Sequence, residues 1–391
     1  MSEAAPASVV RGRGRTPTLR PVAAAFVGFG AFWGSWSVAV ADLEHELHLS
    51  HGTFGLLLSG GLAAAGVANA LGGALAERRG TGQVLAGALF VWAGLLAGTS
   101  LVHGRVLLGA FVVATFAAGG LVDTVMNVAA TAALAESPGS LVRFHALFNV
   151  GGAMGAGATG LLIAHDASWR WWWAVVAIAA FVVALFCARA TLPAGEPGED
   201  APLGDTIRLL RREHLVLIAV AFAVGAMVEG GIDLWGVLFL RTRFPSTLAV
   251  AVTSAVIAYL IAASARVLLG PAAGRRGAAQ GVALGAGAAT IGILMLAIAP
   301  GAWFKGAGLV IAAGGISLCW PLLLAHATAG RARPGAVVGS VSAVGYIGFF
   351  AGPTIVGWLA SATTLQGGLL LLAAAAVFVA IAPNVRRRSR G

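Results

Sequence analysis

Charge is scarce in this chain. Charged residues make up 10% of its 391 positions, whereas a soluble globular protein carries about 25%. Hydrophobic residues make up 59%, which is more apolar surface than a soluble core can cover, so the composition excludes a soluble globular domain. The apolar runs are too continuous for a membrane β-barrel, whose short strands alternate in polarity. The remaining fold class is an all-α polytopic membrane protein.

Cysteine is also scarce, and the metal and nucleotide motifs are missing. Cys187 and Cys319 both lie inside apolar runs without a CxxC pattern, which excludes a disulfide framework. The acidic segment 42–51, DLEHELHLSH, lacks a tetrahedral ligand spacing and is interpreted as a solvated loop. Glycine-rich runs such as GGAMGAG lead into no GK[ST] motif. We therefore predict no metal and no cofactor.

Twelve apolar runs are present. About 20 apolar residues cross a bilayer as a helix, so the sequence predicts twelve transmembrane spans. Their approximate bounds are 21–41, 52–75, 83–102, 105–134, 141–164, 170–190, 214–240, 246–269, 278–299, 302–326, 335–362 and 366–384.

The basic residues predict the orientation. If both ends and the even-numbered loops are cytoplasmic, twenty basic residues, Arg266 among them, lie on that side. Five lie outside: Arg105, Arg170, Arg241, Arg243 and Lys305. The positive-inside rule then places both termini in the cytoplasm and the protein in the cytoplasmic membrane. The net charge of +10 forms no single stripe of the kind that binds nucleic acid.

The longest connection, TLPAGEPGEDAPLGDTIRLLRRE, divides the chain into two six-span halves. The predicted organisation is a basic cytoplasmic tail (1–20), an N-terminal six-helix bundle (21–190), a cytoplasmic linker (191–213), a C-terminal six-helix bundle (214–384) and a second basic tail (385–391).

The two halves repeat each other at an offset of 197 residues. GALAERRGTGQ at 73–83 matches GPAAGRRGAAQ at 270–280, and Gly151, Gly155 and Gly160 match Gly348, Gly352 and Gly357. Parallel six-span repeats place a substrate site near mid-membrane between the halves, with alternating access by rocking of one half on the other.

The loop GGALAERRG resembles the signature loop of the major facilitator superfamily, commonly G-x-L-a-D-r-x-G-r-r, and the likeness covers nearly the whole chain. Glu77 replaces the usual Asp, while Thr81, Gly82 and Gln83 replace the trailing basic residues. The resemblance implies a twelve-helix transporter that works as a monomer. It also implies a conformational role for this loop and its second-half copy, which has Gly274 in place of the acid. The residues concerned are Gly73, Glu77, Arg78, Gly80, Arg275 and Arg276.

Further segments resemble a bacterial branch related to the fucose permeases, many of whose members have no assigned substrate. They are LHLSHGTFGLLLSGGLAAAG, DTVMN, FHALFNVGGAMGA, VEGGIDLW and SAVGYIGFFAGPTIVG. Two features depart from that branch. Asp233 lies one residue earlier than the acid that usually adjoins the seventh-span Trp, and Ala41 or Asp42 stands where a Pro usually ends the first span.

Polar residues inside the spans are the candidate site, because an intramembrane acid is costly and usually functional. Asp123 and Asn127 lie four residues apart in span 4, as do His145 and Asn149 in span 5. We predict a proton or hydroxyl-binding site at Asp123; the alternative is a hydrogen bond from Asp123 to span 5. His145 suits proton transfer, or it is an ordinary interfacial histidine.

Glu229 and Asp233 share one face of span 7, with Gly230 and Gly231 between them. Their carboxylates repel, so at least one is expected to be protonated, paired or hydrated. We predict that they couple proton to substrate; the alternative is a structural gate.

Aromatic residues on the predicted cavity faces suit stacking against a sugar or a cationic drug, or they serve plain packing. They are Trp33, Trp36, Trp235, Tyr259, Trp320 and Tyr346.

These observations predict a secondary transporter for a small solute that lies in the lipid bilayer and uses protons. Uptake of a sugar or similar polar metabolite by symport is the first hypothesis, and proton-driven efflux of a hydrophobic compound is the alternative. Span 11 carries a Gly-Pro motif like the one drug antiporters of the superfamily have in span 5, where this chain has no Pro. No clustered catalytic set is evident at either interface, so we predict no enzyme.

Overall fold

The computed structural model describes residues 18–134, 138–193, 203–243, 248–269, 277–331 and 334–385. Within them, twelve helices are long and apolar enough to cross a membrane, as the sequence predicts. Spans 1 to 6, 9, 11 and 12 are the single helices Arg20–Leu47, His51–Arg79, Thr81–Leu101, Arg105–Leu134, Pro138–Ala164, Arg170–Arg189, Ala278–Ile298, Pro334–Ala362 and Leu365–Ile381. A shorter helix, Leu203–Arg212, precedes span 7.

Spans 7, 8 and 10 are interrupted. Span 7 runs from Val216–Gly231 through a π-helical turn, Ile232–Gly236, into Val237–Arg243. Span 8 is Leu248–Ser264 followed by a π-helical turn, Ala265–Leu269. Span 10 breaks between Ala302–Ile316 and Cys319–Thr328. Such interruptions recur at functional sites, because they shift side chains and backbone groups out of the regular helical register.

Glycines let the first span of each half approach a partner helix closely. A Cβ atom added to Gly151 would lie 2.1 Å from the Val27 carbonyl oxygen in span 1. A Cβ atom on Gly348 would lie 1.8 Å from the Ala223 carbonyl oxygen in span 7. Small residues permit this backbone approach in membranes. The repeated glycines therefore perform the same packing task in both halves.

The outward-facing surface is apolar, as expected where lipid is the solvent. Large side chains with more than half of their surface exposed include Leu71, Val91, Leu161, Ile178, Phe186, Ile291 and Ile298. The interior of the first six spans is aromatic, with Phe32 at 5.6 Å from Trp92 and 5.2 Å from Trp173 between ring centroids.

The two halves, spans 1–6 and spans 7–12, meet along a seam. Span 2 packs against span 11, and span 5 packs against span 8. We call the end of the bundle that holds Leu47 and Arg170 the outer end, following the predicted orientation. Near it, the Gly52 N–H donates to Ser361 Oγ at 2.8 Å, and Thr354 Oγ1 donates to Ser59 Oγ at 2.6 Å. These bonds join the halves.

The prediction of a solvated loop at 42–51 is wrong. Span 1 remains helical to Leu47, so most of this segment belongs to the helix. Its acids are paired: Glu44 with His51 at 2.6 Å, Glu46 with Arg170 at 2.5 Å, and Asp42 with Arg241 at 2.5 Å. The basic partners come from spans 2, 6 and 7, which the local sequence does not reveal.

Candidate functional site

The central feature of the site is an ion pair inside the C-terminal half. Arg266 Nη2 donates to Glu229 Oε1 at 2.6 Å, and each side chain is 19% exposed. The pair joins span 7 to span 8. Breaking a largely buried pair by removing one partner leaves an uncompensated charge, which costs about 3–5 kcal/mol.

The role of Arg266 in the site was not predicted from the sequence. We counted this residue on the cytoplasmic side, at the end of a span predicted as 246–269. The structure places it in the π-helical turn that ends span 8, with its side chain bonded to Glu229. A second bond fixes it there, from Nε to the Ser317 carbonyl oxygen at 3.2 Å. That oxygen is free because Pro321, four residues on, has no N–H to complete the helical bond. The break in span 10 thus creates an acceptor for Arg266.

Asp233 lies within the π-helical turn of span 7. Among the described residues, its carboxylate has no hydrogen-bonding partner, although Glu229 and Arg266 both lie close enough to act on it electrostatically. Gly230 and Gly231 end the regular helix just before the turn. The cluster therefore contains two carboxylates and one guanidinium.

Asp123 and Asn127 form a second, separate polar pair in the N-terminal half. Asn127 Nδ2 donates to Asp123 Oδ1 at 3.0 Å and to its carbonyl oxygen at 2.8 Å. Tyr346, on span 11 of the other half, is near enough to Asp123 for an electrostatic interaction. Asp123 thus lies beside the seam.

His145 and Asn149 lie on span 5, which packs against span 8 and the π-helical turn that holds Arg266. The ring of His145 packs edge-on against Phe26 at 5.2 Å, and His145 interacts electrostatically with Arg266 across the seam. Asn149 is 4% exposed, and its Nδ2 has no hydrogen-bond partner in the described part of the chain. In that part, no hydrogen bond joins Asp123 to span 5, so the alternative that we considered for Asp123 is not found.

The predicted cavity aromatics divide into two groups. Trp36 and Trp235 are 3% and 0% exposed and pack within the protein, Trp36 against Trp173 and Trp235 edge-on to His51. The other four also contact neighbouring residues. Between ring centroids, Trp33 lies 5.3 Å from Phe116 and Trp320 lies 4.4 Å from Phe222. Tyr346 stacks on Phe350 at 6.1 Å, and Tyr259 packs against Gly152.

The signature-like loop links spans 2 and 3. Gly73 and Glu77 belong to the helix of span 2, and Arg78 is exposed near its end. Gly80 has a φ of +85°, and its repeat equivalent Gly277 has a φ of +101°. Both conformations favour glycine, so the repeat extends to backbone geometry. Arg275 and Arg276 lie outside the described residues.

Chemically, the described side chains include groups of the kinds that exchange protons and groups of the kinds that hydrogen-bond to polar solutes. Carboxylates, one guanidinium, an imidazole and amide groups are present on spans 4, 5, 7 and 8. Arg266 is the residue that sequence reasoning missed. A usable signal existed, because the predicted span 246–269 already included Arg266 and the apolar residues Val267, Leu268 and Leu269 beyond it.

Solved transporter structures share this fold. The chain aligns with the nucleoside transporter NupG at 16% identity and a TM-score of 0.73, covering 94% of this chain and 98% of that one. A bacterial homologue of the human lysosomal transporter Spinster, inward-facing and unoccupied, gives 16% identity, a TM-score of 0.75 and coverage of 95% and 98%. The xylose transporter XylE from E. coli, partially occluded and inward open, aligns at 13% identity and a TM-score of 0.68, covering 92% of this chain and 95% of that one.

Searched by sequence, the curated proteins contain no significant match to this chain. The family model described as Major Facilitator Superfamily matches residues 22–353. That match covers most of both halves and agrees with the twelve spans and the solved structures. The protein is a non-enzymatic membrane transporter, and its chain belongs to the major facilitator superfamily.

Proposed function

We propose that this transporter carries out proton-coupled uptake of a small polar solute across the cytoplasmic membrane. It works as a monomer with both termini in the cytoplasm, and the linker 191–213 joins two six-helix bundles that rock about the central site. The observation that carries the proposal is the Glu229–Arg266 ion pair with Asp233 beside it, inside the membrane and next to the seam.

Proton coupling follows from the charges in this cluster. Two carboxylates share one guanidinium, and an unpaired charge at this depth is costly. A proton bound by the cluster removes that cost. Because rocking of the halves changes the surroundings of the cluster, protonation and the separation of the halves depend on each other. Glu229 and Asp233 are the proposed proton-coupling residues, and Asp123 with Asn127 contributes polar contacts from the other half.

A polar solute is supported by the chemistry near the seam. Amide and carboxylate groups hydrogen-bond to hydroxyls, and the half-buried ring of Trp33 provides a stacking surface. The resemblance of several segments to the fucose-permease branch supports the same class. The fold also supports transport of other solutes, because similar structures include one described as a xylose transporter and one as a nucleoside transporter.

The test is transport by the purified protein in liposomes with an acidic exterior. Internal pH and solute uptake are followed together for neutral sugars, nucleosides, small organic acids and lipophilic cations. We expect acidification of the lumen with the uptake of a polar solute, and loss of both in Glu229→Gln. Export of lipophilic cations in exchange for protons, with no polar solute moved, would replace uptake by efflux. Uptake that ignores the proton gradient would refute coupling.

A further inference from the structure

We infer that the transported solute is a small organic carboxylate and that Arg266 binds its carboxylate group in place of Glu229. This inference rests on the proposed proton-coupled uptake and adds the class of substrate and the specificity residue. It is carried by the Arg266 guanidinium, which bonds Glu229 and Ser317, and by two buried donors without partners among the described residues. They are Asn149 on span 5, which packs against the turn that holds Arg266, and Trp320, three residues from Ser317.

Two hydrogen bonds hold the Arg266 guanidinium in place, but not all of its N–H donors have an acceptor among the described residues. Nη2 contacts Glu229 and Nε contacts the Ser317 carbonyl oxygen. Nη1 has no acceptor among the residues that the structure describes. Two fixed points orient the planar group, and its remaining N–H bonds stay available. The Glu229 carboxylate, at 2.6 Å, also indicates the kind of group that this guanidinium accommodates.

The packing of span 5 on span 8 brings a buried donor to the same level. Gly152 of span 5 contacts the ring of Tyr259 of span 8. Seven residues away along each of these antiparallel helices, His145 interacts electrostatically with Arg266. Asn149 lies between those two levels. A helical arginine directs its side chain toward the N-terminus of its helix, and therefore toward the level of Asn149. The unpartnered Nδ2 of Asn149 belongs to a side chain that is 4% exposed.

A second unpartnered donor comes from span 10. Trp320 lies one turn beyond Ser317, and its ring packs between Phe222 and Phe349. Its buried Nε1 has no hydrogen-bond partner in the described residues. Buried donors without acceptors are uncommon in native proteins and call for an explanation. Asn149 and Trp320 therefore each present a buried donor that has no acceptor among the described residues.

A carboxylate satisfies this arrangement better than the other solute classes. A cation can pair with the Asp233 carboxylate, but it leaves the donors of Asn149 and Trp320 unpaired. A neutral sugar hydroxyl can accept from Asn149 or Trp320, but it has no charge with which to displace Glu229 from the guanidinium. A carboxylate carries the required charge and two acceptor oxygens, and it pairs with a guanidinium through parallel hydrogen bonds.

The exchange of partners makes proton coupling obligatory. When the solute carboxylate pairs with Arg266, the Glu229 pair breaks and Glu229 stays buried beside Asp233. Glu229 then takes up one proton. One negative charge and one positive charge enter together, so uptake of a monocarboxylate is electroneutral. Proton-coupled uptake of a neutral solute would instead carry net positive charge inward.

Matched pairs of probes test the class of substrate. Lactate, gluconate and benzoate are compared with lactamide, sorbitol and benzamide, first by thermal shift of the purified protein and then by uptake and current in proteoliposomes. We expect at least one carboxylate to raise the melting temperature by mass action and its neutral partner to leave it unchanged. Uptake of that carboxylate should acidify the lumen without current.

Variants test the assignment of residues. Arg266→Gln should weaken carboxylate binding by at least about tenfold, because a charge-assisted pair is lost. Glu229→Gln should bind the same carboxylate more tightly than wild type at about pH 7.5, with little change at about pH 5.5, because the competing carboxylate is removed. A structural role for Glu229 would not increase affinity. Arg105→Gln, at an exposed arginine, is the matched control.

Three results would overturn the inference. The first is proton-coupled, current-carrying uptake of a neutral solute with no carboxylate transported, which leaves the proposed function intact. The second is a panel in which no carboxylate shifts the melting temperature. The third is carboxylate binding that survives Arg266→Gln unchanged. Proton-independent carboxylate uptake would instead refute the proposed function while keeping the substrate class.

Discussion

Arg241 of the C-terminal half donates from Nη1 to Asp42 Oδ2 of the N-terminal half at 2.5 Å. The same nitrogen donates to the Val38 carbonyl oxygen at 2.5 Å, so the arginine fastens span 7 to span 1. Arg241 is 12% exposed and Asp42 is 33% exposed. The contact lies at the outer end of the seam and must break if the halves separate there.

Arg241→Gln should therefore favour opening at the outer end. A partly exposed pair contributes about 1 kcal/mol, which corresponds to a roughly fivefold shift in the open population. The measurement is the rate at which a membrane-impermeant maleimide labels Ser37→Cys, a position that is 2% exposed. Cys187 and Cys319 are replaced by serine in this background. Unchanged labelling, equal to that of Arg105→Gln, would show that this pair does not hold the outer end closed.

Gly155→Ala should destabilise the N-terminal half strongly. The added Cβ would lie 1.9 Å from the Ala31 carbonyl oxygen, so spans 1 and 5 must move apart. Overpacking of this kind costs about 1–3 kcal/mol and occasionally more. Thermal unfolding in detergent measures the effect.

Gly28→Ala is the control for this change, because nothing lies within 4 Å of the Cβ position in the same first span. We expect its melting temperature to equal that of wild type or to rise slightly, since alanine favours helix more than glycine does. Equal melting temperatures for the two variants would contradict the close packing of spans 1 and 5.

Lys305→Met should destabilise the C-terminal half. The chain's one lysine is 7% exposed, and its Nζ donates to the carbonyl oxygens of Leu296 and Ala297 at 3.2 and 2.9 Å. It also lies 5.2 Å from the ring of Phe239. Its removal leaves these two carbonyl oxygens at the end of span 9 without a donor, which lowers the free energy of unfolding by about 1–3 kcal/mol. A melting temperature within the range of Arg105→Gln would argue against this capping role.

Pro321→Ala should separate stability from transport. Alanine restores an N–H that can bond the Ser317 carbonyl oxygen within span 10, in competition with Arg266. We expect a melting temperature equal to or above that of wild type and proton-coupled uptake reduced by roughly tenfold, as for loss of one hydrogen bond to a charged group. Uptake at the wild-type rate in a stable variant would mean that the free carbonyl does not position Arg266.

The number of spans could be predicted from sequence because lipid imposes one simple requirement. Every span needs about 20 apolar residues with its backbone bonded internally. The repeat was also visible in glycines such as Gly151 and Gly348. In the structure, both glycines make equivalent close contacts with the first helix of their half. These features are local, so the sequence displays them directly.

The pairing of charges was not local. Arg266 was only counted among the cytoplasmic arginines, because the positive-inside rule counts arginines near span ends, and its partner Glu229 lies on another helix. Asp42 was interpreted as solvated because Arg241 is distant in sequence. The π-helical turns and the acceptor freed by Pro321 arise from the packing of spans 7, 8 and 10, which no single segment specifies.

Proton-driven uptake by Glu229→Gln tests the central claim most directly. A solute that the wild type takes up with protons is offered to both proteins in liposomes, with an inward proton gradient and then in solute exchange without a gradient. The account predicts that the variant loses gradient-driven uptake between about pH 5.5 and about pH 7.5 but keeps exchange, because exchange needs no net release of the proton. Gradient-driven uptake by Glu229→Gln at the wild-type level across that range would contradict it.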